Sequence, residues 1–124
     1  MQAKSIVAGL PPAVLMLLVG TPLLIAVGQI IFKLAGERLA ASGQPFAHIA
    51  IDPFFIGACA LYGVATFMWV YVLKTVPLSY AYSFMALSYI AVPLLAALWL
   101  GEALTLKYAL GTGLIMAGLL IAQS

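Results

Sequence analysis

WVYVLKTVPLSYAYSFMALSYIAVPLLAALWLGE, residues 69 to 102, holds the end of one apolar span, a tight break, a complete second span and a lone carboxylate. Lys74 stops the first span, Pro77 cannot continue a helix that is already ending, and Ser79 offers a hydroxyl oxygen to cap the next. A break of about four residues makes the two spans antiparallel neighbours. The second span carries Ser79, Tyr82, Ser83 and Ala86 at helical spacing, a small and hydroxyl-rich stripe where plain Leu and Val would suit lipid. Function is expected along that stripe.

The rest of the chain fits this hairpin. Of 124 residues, 66% are hydrophobic and 6% charged, against about 25% charged in ordinary soluble domains. A span needs about 20 apolar residues to cross about 30 Å of hydrocarbon, so the length holds four helices and leaves no room for a soluble catalytic domain. The composition therefore implies an integral membrane protein, and no enzymatic activity is expected of it. A formal charge of +2, dispersed along the chain, excludes nucleic-acid binding, which needs clustered Lys and Arg. Cys59 is single and lies inside a span, so it reads as a small buried hydrophobe and excludes an intrachain disulfide. His48 has no second ligand nearby, and neither a metal nor a cofactor is expected.

Lys4 before an apolar stretch imitates a signal peptide. The stretch runs from Ile6 to Phe32, too long for that, and reads as a retained span. The expected fold is all-α, an integral membrane four-helix bundle in one domain, with helices near 12–39, 53–75, 79–100 and 105–122. Pro12 suits a first helical turn, and Pro22 is a tolerated kink inside the first span. Asp52-Pro53 reads as N-cap and N1 of the second, and Thr105 as the cap of the fourth. Trp69, Tyr71 and Trp99 sit at belt positions. Gln29, Lys33 and Glu37, one turn apart, share a face of the first span.

The fourth span places Gly111 and Gly118 two turns apart, and Gly113 and Ala117 as a small-xxx-small pair. Helices in lipid associate by close backbone approach, so this face is expected to meet another helix, in the same chain or in a partner. Lys4 and Lys74 stand on one side against Lys33, Arg38 and Lys107 on the other. That balance barely biases orientation and leaves single or dual topology open.

Several of these residues carry a family resemblance: Gly28-Gln29 with Lys33, Trp69, Val76-Pro77-Leu78-Ser79-x-Ala81-Tyr82, Glu102, and Gly111-x-x-Leu114-Ile115-x-x-Gly118. The chain resembles the four-helix branch of the drug/metabolite transporter superfamily, EamA-like and small multidrug resistance-like. The resemblance is strongest to the small subunits of the undecaprenyl-phosphate aminoarabinose flippase. The likeness covers nearly the whole chain outside the N-terminal flank and the connection between the first two spans. Small multidrug-resistance exporters carry an embedded glutamate two turns before the first-span lysine, where this chain has Ile25, and an aromatic where it has Met85. Without the carboxylate, proton-coupled cation export is disfavoured.

The resemblance implies a transporter or flippase subunit of the bacterial inner membrane. It would move a polyprenyl-phosphate-linked sugar through a groove between two small four-helix subunits, identical or not. On that reading Lys33 meets the phosphate beside Gln29, Tyr82 and Ser83 contact sugar hydroxyls, and Glu102 pairs with an amino group. The alternatives are a snorkelling Lys33, packing roles for Tyr82 and Ser83, and a solvated Glu102 or a Glu102–Lys107 pair. At the level of function, the rivals are a small-cation exporter and a non-transporting subunit of a membrane glycosyltransferase.

Overall fold

The computed structural model describes residues 9–123, and the reading of Lys4 lies outside them. The described residues form α1 (Pro12–Ser42), a 3₁₀ turn (Phe46–Ile51), α2 (Pro53–Leu73), α3 (Leu78–Phe84), α4 (Leu87–Trp99) and α5 (Leu106–Gln123), with no strand among them. Three apolar runs are long enough to cross a bilayer: α1, α2, and the 22 residues from Leu78 to Trp99. Leu106–Ala122 is apolar but shorter.

Local chemistry sets the ends. Pro12 occupies the first turn of α1, where its missing N–H costs nothing. Gly43 ends that helix at φ 70°, a left-handed position that glycine enters without a Cβ penalty. Asp52 caps α2, its Oδ1 accepting from the backbone N–H of Phe54 (2.8 Å) and Phe55 (3.3 Å). Gly101, at φ 71°, makes the turn after α4, and Thr105 Oγ1 accepts from Tyr108 N at 3.1 Å to start α5.

α1 and α2 form the main antiparallel pair. Phe32 packs against Phe55 and Tyr62, with ring centroids 5.7 and 5.2 Å away. Toward the opposite end, the start of α1 (Val14, Leu18), the end of α2 (Val72), the short turn (Val76) and the start of α3 (Tyr80, Ala81) enclose one buried cluster. Pro22 lies fully buried inside an unbroken α1.

Three expectations are corrected. Ser79 does not cap the third span: the helix begins at Leu78, one residue earlier, with Pro77 at the cap position and no side-chain cap. The third span is not one uniform helix from Ser79 to Leu100. At Met85 and Ala86 the backbone tightens to 3₁₀ geometry (ψ −20° and −21°), with Met85 N donating to Tyr82 O and Ala86 N to Ser83 O. A hydroxyl competes at the break itself: Ser88 Oγ donates to Met85 O (2.7 Å), a carbonyl of the helix ladder, while Ser83 Oγ donates to Ser79 O (3.4 Å) one turn earlier. Cys59 is exposed on the outer face of α2 rather than buried.

α5 stands apart from this body, nearly all of its side chains exposed. Between it and α4 runs an apolar groove of about 370 Å³, lined among others by Tyr89, Pro93, Tyr108 and Gly113. A Cβ added at Gly111, Gly113 or Gly118 would meet nothing within 4 Å. Gly111 and Gly118 therefore lie open on one face of α5, while Gly113 lies on the side that lines the groove toward α4.

Candidate functional site

A depth scale for the site follows from α1 and α2. α1 has 31 residues, about 46 Å of helix at 1.5 Å per residue, more than the roughly 30 Å of hydrocarbon. α2 has 21 residues and just spans that thickness. Arg38 Nε binds Asp52 Oδ2 at 3.2 Å, which fixes Arg38 level with the start of α2 and marks a membrane interface. The last turn of α1 projects beyond it.

Gln29 lies nine residues inside Arg38 along α1, about 14 Å deep and close to the bilayer midplane. There Gln29 Nε2 donates to the Tyr62 hydroxyl of α2. The amide has to find a partner at that depth, because an unsatisfied polar group in hydrocarbon costs several kcal/mol. Gly28 lets the ring come this close: a Cβ in its place would lie 2.8 Å from Tyr62 Cε2. Lys33 is one turn nearer the interface than Gln29, and both are exposed, as is Glu37 another turn on. The three residues thus form a polar track on a face of α1 that the described residues leave open.

At the interface, Asp52 combines two roles. Burial works against its ionisation, but the Arg38 hydrogen bond, the two backbone N–H groups of its cap and the Arg38 charge outweigh it. They hold the carboxyl below its ordinary value. Arg38 also stacks 4.6 Å over the Phe54 ring. Among the described residues this is the ion pair, and neither Lys33–Glu37 nor Glu102–Lys107 joins it.

The residues selected from sequence do not gather into one cluster. Tyr82, 64% exposed, and Ser83 lie in α3, near the end of the bundle far from Arg38. Glu102 is exposed in the linker after α4, about 30 Å of helix from Tyr82. Of the tyrosines in that stretch, Tyr80 is the buried one. Gln29 and Lys33 are adjacent, and Glu102 is at their end of the bundle. Sequence reasoning missed Tyr62 as the partner of Gln29 and Arg38 as the partner of Asp52, and the signal for the first was a glycine beside a polar residue, Gly28-Gln29, where a side chain can approach closely. Among the described residues no group of His, Cys, Asp and Glu is placed to hold a metal.

Long apolar helices with a polar track from interface to midplane fit a membrane transport protein. The chain belongs to the EamA-like transporter family, whose model matches residues 1–123. It is similar to a probable 4-amino-4-deoxy-L-arabinose-phosphoundecaprenol flippase subunit ArnE of Erwinia tasmaniensis, 46% identical over 69 residues. That match covers 55% of this chain and 63% of the relative. A protein of the same description from Yersinia pestis is 30% identical over 106 residues, covering 86% of this chain and 92% of the relative. No solved structure matches the chain.

Proposed function

We propose that this chain is a subunit of a flippase that carries a lipid-linked amino sugar, of the 4-amino-4-deoxy-L-arabinose-phosphoundecaprenol kind, across the bacterial inner membrane. The observation that carries the reading is the Gln29–Tyr62 pair near the midplane on an open face, with Lys33 one turn toward the interface. A headgroup phosphate crossing hydrocarbon unaided costs several kcal/mol at least, and a lysine with a neutral amide one turn deeper offsets part of that. The polyprenyl tail stays in lipid beside the track. Lys33 takes the phosphate, Gln29 a phosphate or sugar oxygen, and Glu102 meets the amino group at the interface. Tyr82 and Ser83, at the opposite end, receive the sugar hydroxyls after the crossing.

Four helices complete the bundle, with α5 as a short fourth crossing, and two subunits complete the path. The open positions of Gly111 and Gly118, two turns apart on one face of α5, support pairing with an identical subunit or a similar small one, with Gly113 and Ala117 as a second small pair on another face. The exporter reading is weakened because Glu37, Asp52 and Glu102, the three carboxylates, all lie near helix ends or in connections. The test is headgroup exposure in vesicles reconstituted with the chain, alone and with candidate partners. Loss of exposure in Gln29→Leu at normal abundance supports the reading, and undiminished exposure contradicts it.

A further inference from the structure

The connection between α1 and α2 builds a second polar site, at the interface rather than the midplane. A cleft of about 420 Å³ opens there, with Arg38, Ser42, His48 and Asp52 in its walls. Arg38 is held from two sides, by Asp52 through Nε and by the Phe54 ring beneath its guanidinium. That leaves the four N–H donors on Nη1 and Nη2 without a partner among the described residues. Its side chain remains 52% exposed while that of Asp52 is 13% exposed. Asp52, meanwhile, has its Oδ1 occupied by two backbone amides at the N-terminus of α2, where the helix dipole offsets its negative charge. What faces the cleft is thus a pre-oriented guanidinium fork, the geometry that binds phosphate through two parallel N–H···O bonds. The whole arrangement lies at the depth where lipid phosphates reside.

We propose that Arg38 is the anchor of an interfacial docking site for the phosphate of a lipid headgroup, with Ser42 and His48 as its polar walls. The identity of that lipid as a polyprenyl phosphate rests on the transport reading above. Docking here would hold the phosphate five residues of α1 from Lys33, about 8 Å along the helix axis, on the interface side of the polar track. An ion pair that only ties α1 to α2 would bind nothing.

Arg38 is the only arginine in the chain, so its chemical modification by phenylglyoxal can be followed in the unaltered protein. The purified full chain in detergent micelles is treated with phenylglyoxal alone and with undecaprenyl phosphate, undecaprenol or inorganic phosphate, and the Arg38 peptide is quantified by mass spectrometry. Undecaprenyl phosphate is expected to slow modification at least fivefold, undecaprenol not at all, and inorganic phosphate only at far higher concentration. Equal rates with and without undecaprenyl phosphate overturn the proposal, and equal protection by inorganic phosphate at the same concentration overturns the lipid as its source. Headgroup exposure, measured after the same protein is reconstituted into vesicles alone and with candidate partners, separates this proposal from the transport reading. Exposure with an unprotected Arg38 rejects the anchor alone, while protection without exposure rejects transport and supports the anchor.

Discussion

Gly28 and Tyr62 meet across the α1–α2 contact with room for no further atom: a Cβ on residue 28 would lie 2.8 Å from Cε2 and 3.0 Å from Cδ2 of the ring. The same ring carries the hydroxyl that accepts from Gln29. Gly28→Ala is therefore expected to push the ring aside and loosen that hydrogen bond, at an overpacking cost of about 1–3 kcal/mol. Thermal unfolding in detergent checks it. An unchanged midpoint would mean that the ring swings away freely.

Gln29→Leu and Tyr62→Phe are expected to be coupled, because each removes one half of the same bond. The coupling in a double-mutant cycle should be on the order of 0.6 kcal/mol, the usual scale for polar pairs inside membranes. Additive effects would show that the two groups act separately.

The Asp52 cap should fail in acid. Its carboxyl is held below the ordinary 3.8 in the folded chain. The stabilisation is therefore fully present above that ordinary value and lost as pH falls through the lower, folded value. Amide exchange at Phe54 and Phe55 is expected to speed up below about pH 4, and Asp52→Asn to flatten the response. Exchange insensitive to pH after correction for its intrinsic rate would contradict the assignment.

Gly118→Leu should act on assembly rather than on the folded subunit, since nothing within 4 Å receives the added side chain. If the glycine face joins two subunits, the larger residue separates the backbones and weakens the dimer by about 1–3 kcal/mol. Native mass spectrometry of the assembly reads this out. An oligomer unchanged by Gly118→Leu would move the contact to another face.

The parts of the fold that were legible in the sequence are those set by local chemistry. Pro12, Asp52-Pro53 and Thr105 mark helix starts because a cap or a missing N–H acts within one turn. The tightened turn at Met85 and Ala86 was missed although Ser83 and Ser88 were visible, because a serine in a helix faces either its own carbonyls or a neighbour, and the sequence does not say which. Which tyrosine of the third span turns inward was not legible either: Tyr80 is buried and Tyr82 exposed because of how α3 packs on α1 and α2, which the stripe of hydroxyls does not reveal. At the site, Gln29 and Lys33 stood out as rare polar residues in apolar sequence. Tyr62 did not, because its partner is 33 residues away and only the register of α1 on α2 joins them.

The central claim is that Lys33, on the open polar track, carries an anionic lipid head. Lys33→Gln keeps much of the length and polarity but removes the charge, and Lys33→Arg keeps the charge with a different donor geometry. Headgroup exposure in reconstituted vesicles, measured beside topology and abundance, separates the possibilities. The account predicts loss of exposure in Lys33→Gln with normal abundance and orientation, and at least partial activity in Lys33→Arg. Full headgroup exposure in Lys33→Gln would contradict it.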